Sequence, residues 1–84
     1  MMNQDQCKLT LDRPTAYQIK VPGHLEEDGL NWFGEIGVEN HFNKSGYPIT
    51  TLTGSLDQAA LIGLLRHLYS LGLPLISVIC LEFQ

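Results

Sequence analysis

The sequence predicts an α+β fold, a ferredoxin-like βαββαβ two-layer sandwich with a short first helix and a long second helix. Three observations lead to this prediction: an amphipathic helix with clear end signals, a strongly apolar strand directly after it, and an upstream order of strand, short helix, strand, strand. This order matches the split βαβ plan, in which we expect the strands in the order 4-1-3-2 and both helices on one face of the sheet.

With 84 residues, the chain fits one domain. Residues 1–14 are polar and show no sustained hydrophobic period, so we predict a mobile N-terminal arm there and a single α+β domain over residues 15–84. The domain opens with a strand, because Tyr17, Ile19 and Val21 alternate with polar residues before a Pro-Gly pair.

The segment after the first strand, His24–Phe33, has apolar residues separated by acidic ones. It is predicted to form a short helix of two turns at most, because Gly29 is unfavourable in a helix interior. The large aromatic side chains of Trp32 and Phe33 are expected to cover one end of the core.

Two further strands are predicted over Gly34–Asn40 and Tyr47–Thr53, with a turn at residues 43–46 between them. Ile49 and Leu52 fall on opposite faces of the third strand. Either a β-bulge interrupts this strand, or both of its faces are partly covered.

The long helix carries the clearest signals in the chain. Ser55 and Gln58 have the spacing of a capping box, and Asp57 falls in the first turn, where the helix dipole favours a negative charge. Gly72 can adopt the left-handed conformation that ends a helix, and Pro74 prevents another turn. The buried face is predicted by a stripe at helical spacing, which consists of Leu61, Leu64, Leu65, Leu68 and Leu71.

The last strand is apolar on both faces. We expect one alternating set of side chains to pack under the long helix and the other to face water; the first is Leu75, Ile79, Leu81 and Phe83, and the second is Ile76, Val78 and Cys80. Exposed apolar residues on an edge strand are normally covered. The sequence therefore predicts a partner on the bare sheet face or along this strand, most simply a second copy of the chain in a homodimer.

A second contact surface is expected on the outer side of the long helix, where Ala59, Gly63 and Arg66 line up. The spacing of the two small residues lets another backbone approach closely. The same residues are also typical of an ordinary solvent-facing helix surface, and both interpretations stay open at this point.

Charge and composition exclude several classes of partner. The net charge is −4 and the five basic residues are scattered, so neither nucleic acid nor an anionic membrane is expected to bind. The apolar run over residues 71–81 is about half the length of a membrane-spanning helix. Cys7 and Cys80 fit no metal or redox spacing, and without a signal peptide they favour a cytoplasmic location.

No catalytic or metal-binding pattern stands out, so no catalytic residue, metal or cofactor is predicted. His24 precedes the acidic residues 26–28, but adjacent acids on a short polar segment usually face solvent. The alternative is a small-molecule-binding protein or a cofactor-free oxygenase of the ferredoxin-like dimer type. Such proteins work in a cavity between sheet and helices, and the candidate ligand-binding residues here are His24, Asn31, Trp32 and Tyr69.

Several short segments between Tyr17 and Val78 form a recognisable pattern: GHL from Gly23, WF from Trp32, LTG from Leu52, DQAALIGLL from Asp57 and LGLPLISV from Leu71. In this pattern the chain resembles a family of small bacterial proteins of unknown function. The resemblance implies no activity, substrate or site. Our main hypothesis is therefore a non-enzymatic regulatory or adaptor protein that self-associates and contacts another protein.

Overall fold

The computed structural model describes residues 9–25 and 29–82, which form one antiparallel sheet, one α-helix and one 3-10 helical turn. The predictions for Cys7, residues 26–28 and Phe83 concern parts of the chain outside these ranges. The strands are β1 (Thr15–Pro22), β2 (Ile36–Phe42), β3 (Pro48–Leu56) and β4 (Ser77–Cys80), the helix α1 spans Gln58–Ser70, and the 3-10 turn spans Leu30–Phe33.

The predicted ferredoxin-like βαββαβ fold was wrong. The connection from β1 to β2 forms a 3-10 turn of four residues in place of a first α-helix, so within the described ranges a single helix covers the sheet. Gly29 and Gly34 bound this turn with positive φ angles of 87° and 129°, which ordinary helical residues do not adopt. The strand order, β2-β3-β1-β4, is the expected 4-1-3-2 taken from the other edge.

The core lies between one face of the sheet and α1. Tyr17, Ile19 and Val21 of β1 are buried on this face, as their alternation predicts. Ile19 pairs with Leu52 of β3, so both side chains lie on the covered side. The other buried members of the core are Leu30, Ile36, Leu56, Leu61, Leu64 and Leu68.

The strands β2 and β3 form a hairpin around the predicted turn. The side-chain oxygen of Asn43 accepts the backbone N–H groups of Ser45 and Tyr47, each at 2.9 Å. The register of β3 with both neighbours runs without a break, so no bulge interrupts the strand. Both of its faces are partly covered instead, because Leu52 faces α1 and Ile49 is buried on the opposite face.

The helix begins later than its sequence signals indicate. Asp57 is the N-cap, and its carboxylate accepts the N–H of Ala60 at 2.8 Å. Ser55 lies in β3, and the side chain of Gln58 donates to the hydroxyl of Tyr17 at 2.5 Å, so the predicted capping box was wrong. The strand continues to Leu56 and leaves no room for an earlier helix start.

The predicted end of the helix is confirmed. Gly72 has a φ of 77°, its N–H donates to the carbonyl of Tyr69 at 2.9 Å, and the N–H of Leu73 donates to the carbonyl of Leu68 at 3.1 Å. This pair of bonds is the Schellman arrangement, which satisfies carbonyls that the last turn leaves without partners. Leu71, however, is half exposed, so the buried stripe ends at Leu68.

The described part of the predicted arm, residues 9–14, contacts the domain. Leu9 packs against the core, and the carbonyl of Leu11 accepts the N–H of Gln58 at 3.0 Å. The chain therefore meets the first turn of α1 before it enters β1.

Candidate functional site

Exposed apolar side chains are concentrated between the end of α1 and the end of β4. We call this surface the β4 strip; among the described residues it contains five of the eleven exposed large hydrophobic side chains, namely Leu71, Leu75, Ile76, Val78 and Ile79. Ile76 is 52% exposed and Val78 is 39% exposed. Exposed large apolar residues that are concentrated in one part of a small domain mark an interaction surface more often than singly scattered ones do.

The two faces of β4 are the reverse of the prediction. Val78 pairs with Ile19 and Cys80 pairs with Tyr17, so both lie on the helix-covered face, whereas Ile79 pairs with Gln18 on the open face. Cys80 is half-buried and packs against the core. A strand that is apolar on both faces gives no alternation from which its orientation could be deduced.

Val78 remains exposed on the covered face because of where the helix lies. The helix α1 packs mainly against β3 and the 3-10 turn, on the side of the sheet away from β4. Since β4 is the last strand in the order, it also has no neighbour beyond it among residues 9–25 and 29–82. The β4 strip is thus uncovered both at its edge and along part of its inner face.

The backbone of β4 offers hydrogen-bonding groups to a further strand. The N–H of Leu81 donates to the carbonyl of Ala16 at 2.8 Å, so the peptide groups of Leu81 point towards β1. Successive residues of an antiparallel strand point in opposite directions. The N–H and C=O groups of Cys80 and Val78 therefore point away from the sheet, in the plane where another strand could pair.

Charge distinguishes this edge from the other surfaces of the sheet. No charged residue occurs from Leu71 to Leu81. The opposite edge strand, β2, carries Glu39, and charged residues on an edge disfavour pairing with another strand. The open face is also polar, with a groove of about 470 Å³ lined mainly by Gln18, Lys20, Glu39, His41, Thr51 and Thr53.

The second predicted contact surface, on the outer side of α1, is only partly available. Ala59 and Arg66 are exposed and line a shallow groove together with Leu11 and Ile62. Gly63 is half-buried, and a Cβ atom there would lie 3.4 Å from the ring of Phe33. The small size of Gly63 therefore accommodates an aromatic ring of the same chain.

The four candidate ligand-binding residues lie in three separate places. His24 follows β1, Asn31 and Trp32 lie in the 3-10 turn, and Tyr69 lies in the last turn of α1. Trp32 is 88% exposed and Tyr69 is 83% exposed. A shallow groove beside Asn31 is lined by residues 34–37 and contains none of the other three side chains.

The prediction that Trp32 covers one end of the core was therefore wrong. Its neighbour Phe33 is half-buried, and its ring centroid lies 5.5 Å from that of His67 on α1. Leu30 is the buried residue of this turn. In a 3-10 turn bounded by two glycines, Leu30 and Phe33, three residues apart, point inwards, which leaves Trp32 in solvent.

A polar network that the sequence analysis did not identify joins the loop after β1 to the β2–β3 hairpin. Its centre is Thr50, which is fully buried and whose hydroxyl accepts the N–H of Leu25 at 3.1 Å. The same hydroxyl lies 2.6 Å from the carbonyl of Gly23 and 2.7 Å from Oδ1 of Asn40. Asn40 in turn donates to the carbonyl of Leu25 at 3.1 Å.

His24 lies at the outer margin of this network. Its Nε2 is 3.0 Å from the carbonyl of His41, and its ring meets the ring of Phe42 edge-on at 5.0 Å. Gly23, with a φ of 89°, bonds the carbonyl of Pro48 at 2.8 Å. These contacts give the Gly-His-Leu segment a structural role in holding the loop against the hairpin.

The described residues contain neither a metal-binding cluster nor a membrane-spanning helix. Across residues 9–25 and 29–82, no group of three His, Cys, Asp or Glu side chains is arranged to hold a metal ion. Neither is any helix in those ranges long and apolar enough to cross a bilayer.

In the described part of the chain, the fold and the β4 strip define a class: a small α+β domain with a four-stranded antiparallel sheet, one covering helix and an apolar edge strand. A family model described as a domain of unknown function, DUF8691, matches residues 16–79. The chain therefore belongs to the DUF8691 family, whose matched region runs from β1 into β4. Comparisons with curated proteins and with solved structures gave no match.

Proposed function

We propose that this protein is a non-enzymatic regulatory or adaptor module that self-associates and contacts protein partners through the β4 strip. The observation that carries the proposal is the combination of an edge strand without charge, outward-pointing backbone groups, and five exposed apolar side chains. Pairing with a further strand would satisfy the backbone groups, and the same contact would remove the apolar side chains from water.

The open sheet face supports docking less well than the edge does. Lys20 and Glu39 lie in one row of the sheet, each paired with Thr51 between them. An apolar partner placed there would remove both charged groups from water, at a cost that its own contacts would have to offset. Of the two expected docking positions for a partner, the bare sheet face and the edge of β4, the proposal therefore keeps the edge of β4.

The exposed side chains and the backbone groups of β4 set the scale of the free energy that opposes the cost of association. Complete burial of a Val, Leu or Ile side chain stabilises by roughly 1.5–3 kcal/mol, so covering the exposed half of one contributes on the order of 1 kcal/mol. The five side chains in each of two molecules act together with new backbone hydrogen bonds, which contribute about 1 kcal/mol each. These contributions oppose an association cost of roughly 4–15 kcal/mol.

Sedimentation equilibrium of the wild-type chain and two matched variants tests this proposal. Ile79→Lys introduces a charge into the β4 strip, whereas Ile62→Lys introduces the same charge at a similarly exposed position on the outer side of α1. We expect the wild-type chain to self-associate, Ile79→Lys to weaken association by about tenfold or more, and Ile62→Lys to behave like the wild type.

Two outcomes would contradict the proposal. One is a wild-type chain that stays monomeric up to high concentration. The other is an effect confined to Ile62→Lys, which would move the interface to the outer side of α1. Circular dichroism of each variant separates weakened association from loss of the fold.

The alternative function, small-molecule binding or cofactor-free oxygenase chemistry, has less support. A ligand site of this kind needs its aromatic and polar side chains to converge on one sheltered cavity. The exposure of Trp32 and Tyr69, and their separation from the groove beside Asn31, do not supply such a cavity.

A further inference from the structure

We infer that the occupant of the β4 strip is a second copy of this chain, whose β4 pairs antiparallel with β4 across a two-fold axis that passes beside Ile79. This inference rests on the proposed function, which already includes self-association, and adds to it the orientation of the paired strands and their register. It follows from the directions of the backbone groups and from the charges along the edge.

The register follows from which residues can donate and accept outward. Within β4 only Val78 and Cys80 direct their N–H and C=O groups away from β1, because Leu81 donates towards β1 and the directions alternate. Two antiparallel copies use both of these residues when Val78 of one faces Cys80 of the other. The axis then lies at the residue between them, Ile79.

Other two-fold registers use fewer of these groups. An axis at Val78 would pair Cys80 with the partner's Ile76, whose N–H already donates to the carbonyl of Lys20 at 2.8 Å. An axis at Cys80 would pair Val78 with the partner's Glu82, beyond the end of the strand. The Ile79 register alone keeps every intermolecular hydrogen bond within Ser77–Cys80.

The side chains complement each other in the same register. On the open face Ile79 meets the partner's Ile79, and on the helix-covered face Val78 meets the partner's Cys80. No like charges are opposed, since the whole segment from Leu71 to Leu81 is uncharged. Antiparallel self-pairing of β2 about its middle residue would instead bring two copies of Glu39 together.

A second copy also explains why an uncovered edge is tolerable in this protein. A two-fold contact uses the β4 edges of both molecules at once and leaves only the β2 edges at the ends of the joined sheet. Those outer edges carry Glu39, which discourages further strand addition. The assembly therefore closes at two molecules.

Disulfide trapping with single cysteines tests the register. Three variants are compared, each with Cys7 replaced by Ser: one that keeps only Cys80, one with Val78→Cys and Cys80→Ala, and one with Ile79→Cys and Cys80→Ala. In the inferred register the two Ile79 positions form a pair without direct hydrogen bonds, with Cα atoms about 4.5 Å apart, within disulfide range. The two Cys80 positions are diagonal neighbours at roughly 7–8 Å, beyond that range.

With diamide as the oxidant and non-reducing electrophoresis as the readout, we expect the Ile79→Cys chain to form a covalent dimer. The other two chains should do so at least tenfold more slowly. An Ile62→Cys chain, without Cys7 and Cys80, measures the background from random collisions. Circular dichroism and sedimentation of the reduced variants show that each is folded and still associates.

The outcomes separate the inference from the proposed function. If the wild-type chain associates but the fastest trapping occurs at position 78 or 80, the Ile79 register is overturned while the β4 strip remains an interface. If it associates and none of the three positions traps above background, the pairing of β4 with β4 is overturned, and the sedimentation of the lysine variants decides whether the β4 strip is the interface. If every chain is monomeric and all four trap at the background rate, both the inference and the proposed function fail.

Discussion

Thr50 joins the loop after β1 to the hairpin that follows it. The residue is fully buried on the helix-covered face of β3, and its hydroxyl is the common partner of Gly23, Leu25 and Asn40. A buried hydroxyl with several partners stabilises the fold mainly because it gives each of those partners a hydrogen bond. Without it, each buried group would have lost its hydration and found no replacement.

We expect Thr50→Val to destabilise the protein by about 1–3 kcal/mol. Valine keeps the shape of threonine but leaves the N–H of Leu25 with only its contact to Asn40 at 3.2 Å. The change in the free energy of unfolding is measured by urea denaturation. Thr53→Val, at an exposed position of the same strand, is the matched control and should change stability by no more than about 0.5 kcal/mol.

A similar loss in both variants would show that the Thr50 network contributes no stability of its own. The network could not be predicted from the sequence, because Thr50 and Asn40 are typical strand and strand-end residues. The β2–β3 register places Asn40 opposite Thr50, and the fold of the loop after β1 brings the polar groups of Gly23 and Leu25 to this pair.

At the scale of single elements, the N-terminus of α1 shows which of two possible capping residues the chain uses. The segment contains two acceptors at capping distance, Ser55 and Asp57, and the sequence signals favoured Ser55. The length of β3 decides between them, since its pairing with β1 continues to Leu56 opposite Thr15. Tertiary pairing therefore overrides a local capping signal.

Asp57→Ala is expected to lower stability by about 0.5–2 kcal/mol, because it removes the acceptor for the N–H of Ala60. Ser55→Ala should leave stability nearly unchanged, since Ser55 is exposed on β3. Thermal unfolding followed by circular dichroism at 222 nm, a standard helix signal, compares the two variants. A larger loss of stability for Ser55→Ala than for Asp57→Ala would support the capping-box interpretation and contradict the observed helix start.

Elements with strong periodicity were predictable and those without it were not. The alternation of Tyr17, Ile19 and Val21 identified β1 and its buried face, and Gly72 identified the end of α1. The strand β4 lacks alternation, so its two faces were interchanged. The segment before β2 has two glycines with positive φ, one on each side of the 3-10 turn. A regular α-helix does not include such φ angles, so the predicted helix does not form there.

For the molecule as a whole, the sequence allowed the strand order to be predicted but not the fold class. The order depends on which segments are strands and on how antiparallel neighbours connect, and both are legible in the chain. The fold class also required a first helix, for which residues 30–33 are too few. One covering helix on a four-stranded sheet leaves more of the sheet uncovered than two helices would.

The β4 strip is exposed because α1 does not extend over it. The helix α1 shelters the region around β3, and among the described strands β4 pairs with β1 alone. The general prediction of surplus apolar side chains, Ile76 and Val78 among them, agrees with their exposure. Which of them share a face became evident only from the register with β1.

The most direct test of the account is amide hydrogen exchange at individual residues of β4, measured by NMR over a range of protein concentrations. We expect the N–H groups of Val78 and Cys80, which point away from β1, to become at least tenfold better protected as concentration rises. The N–H of Ile79, which points towards β1, should be protected throughout. If the exchange rates of the Val78 and Cys80 N–H groups do not change with protein concentration, no strand pairs with this edge and the central claim is contradicted.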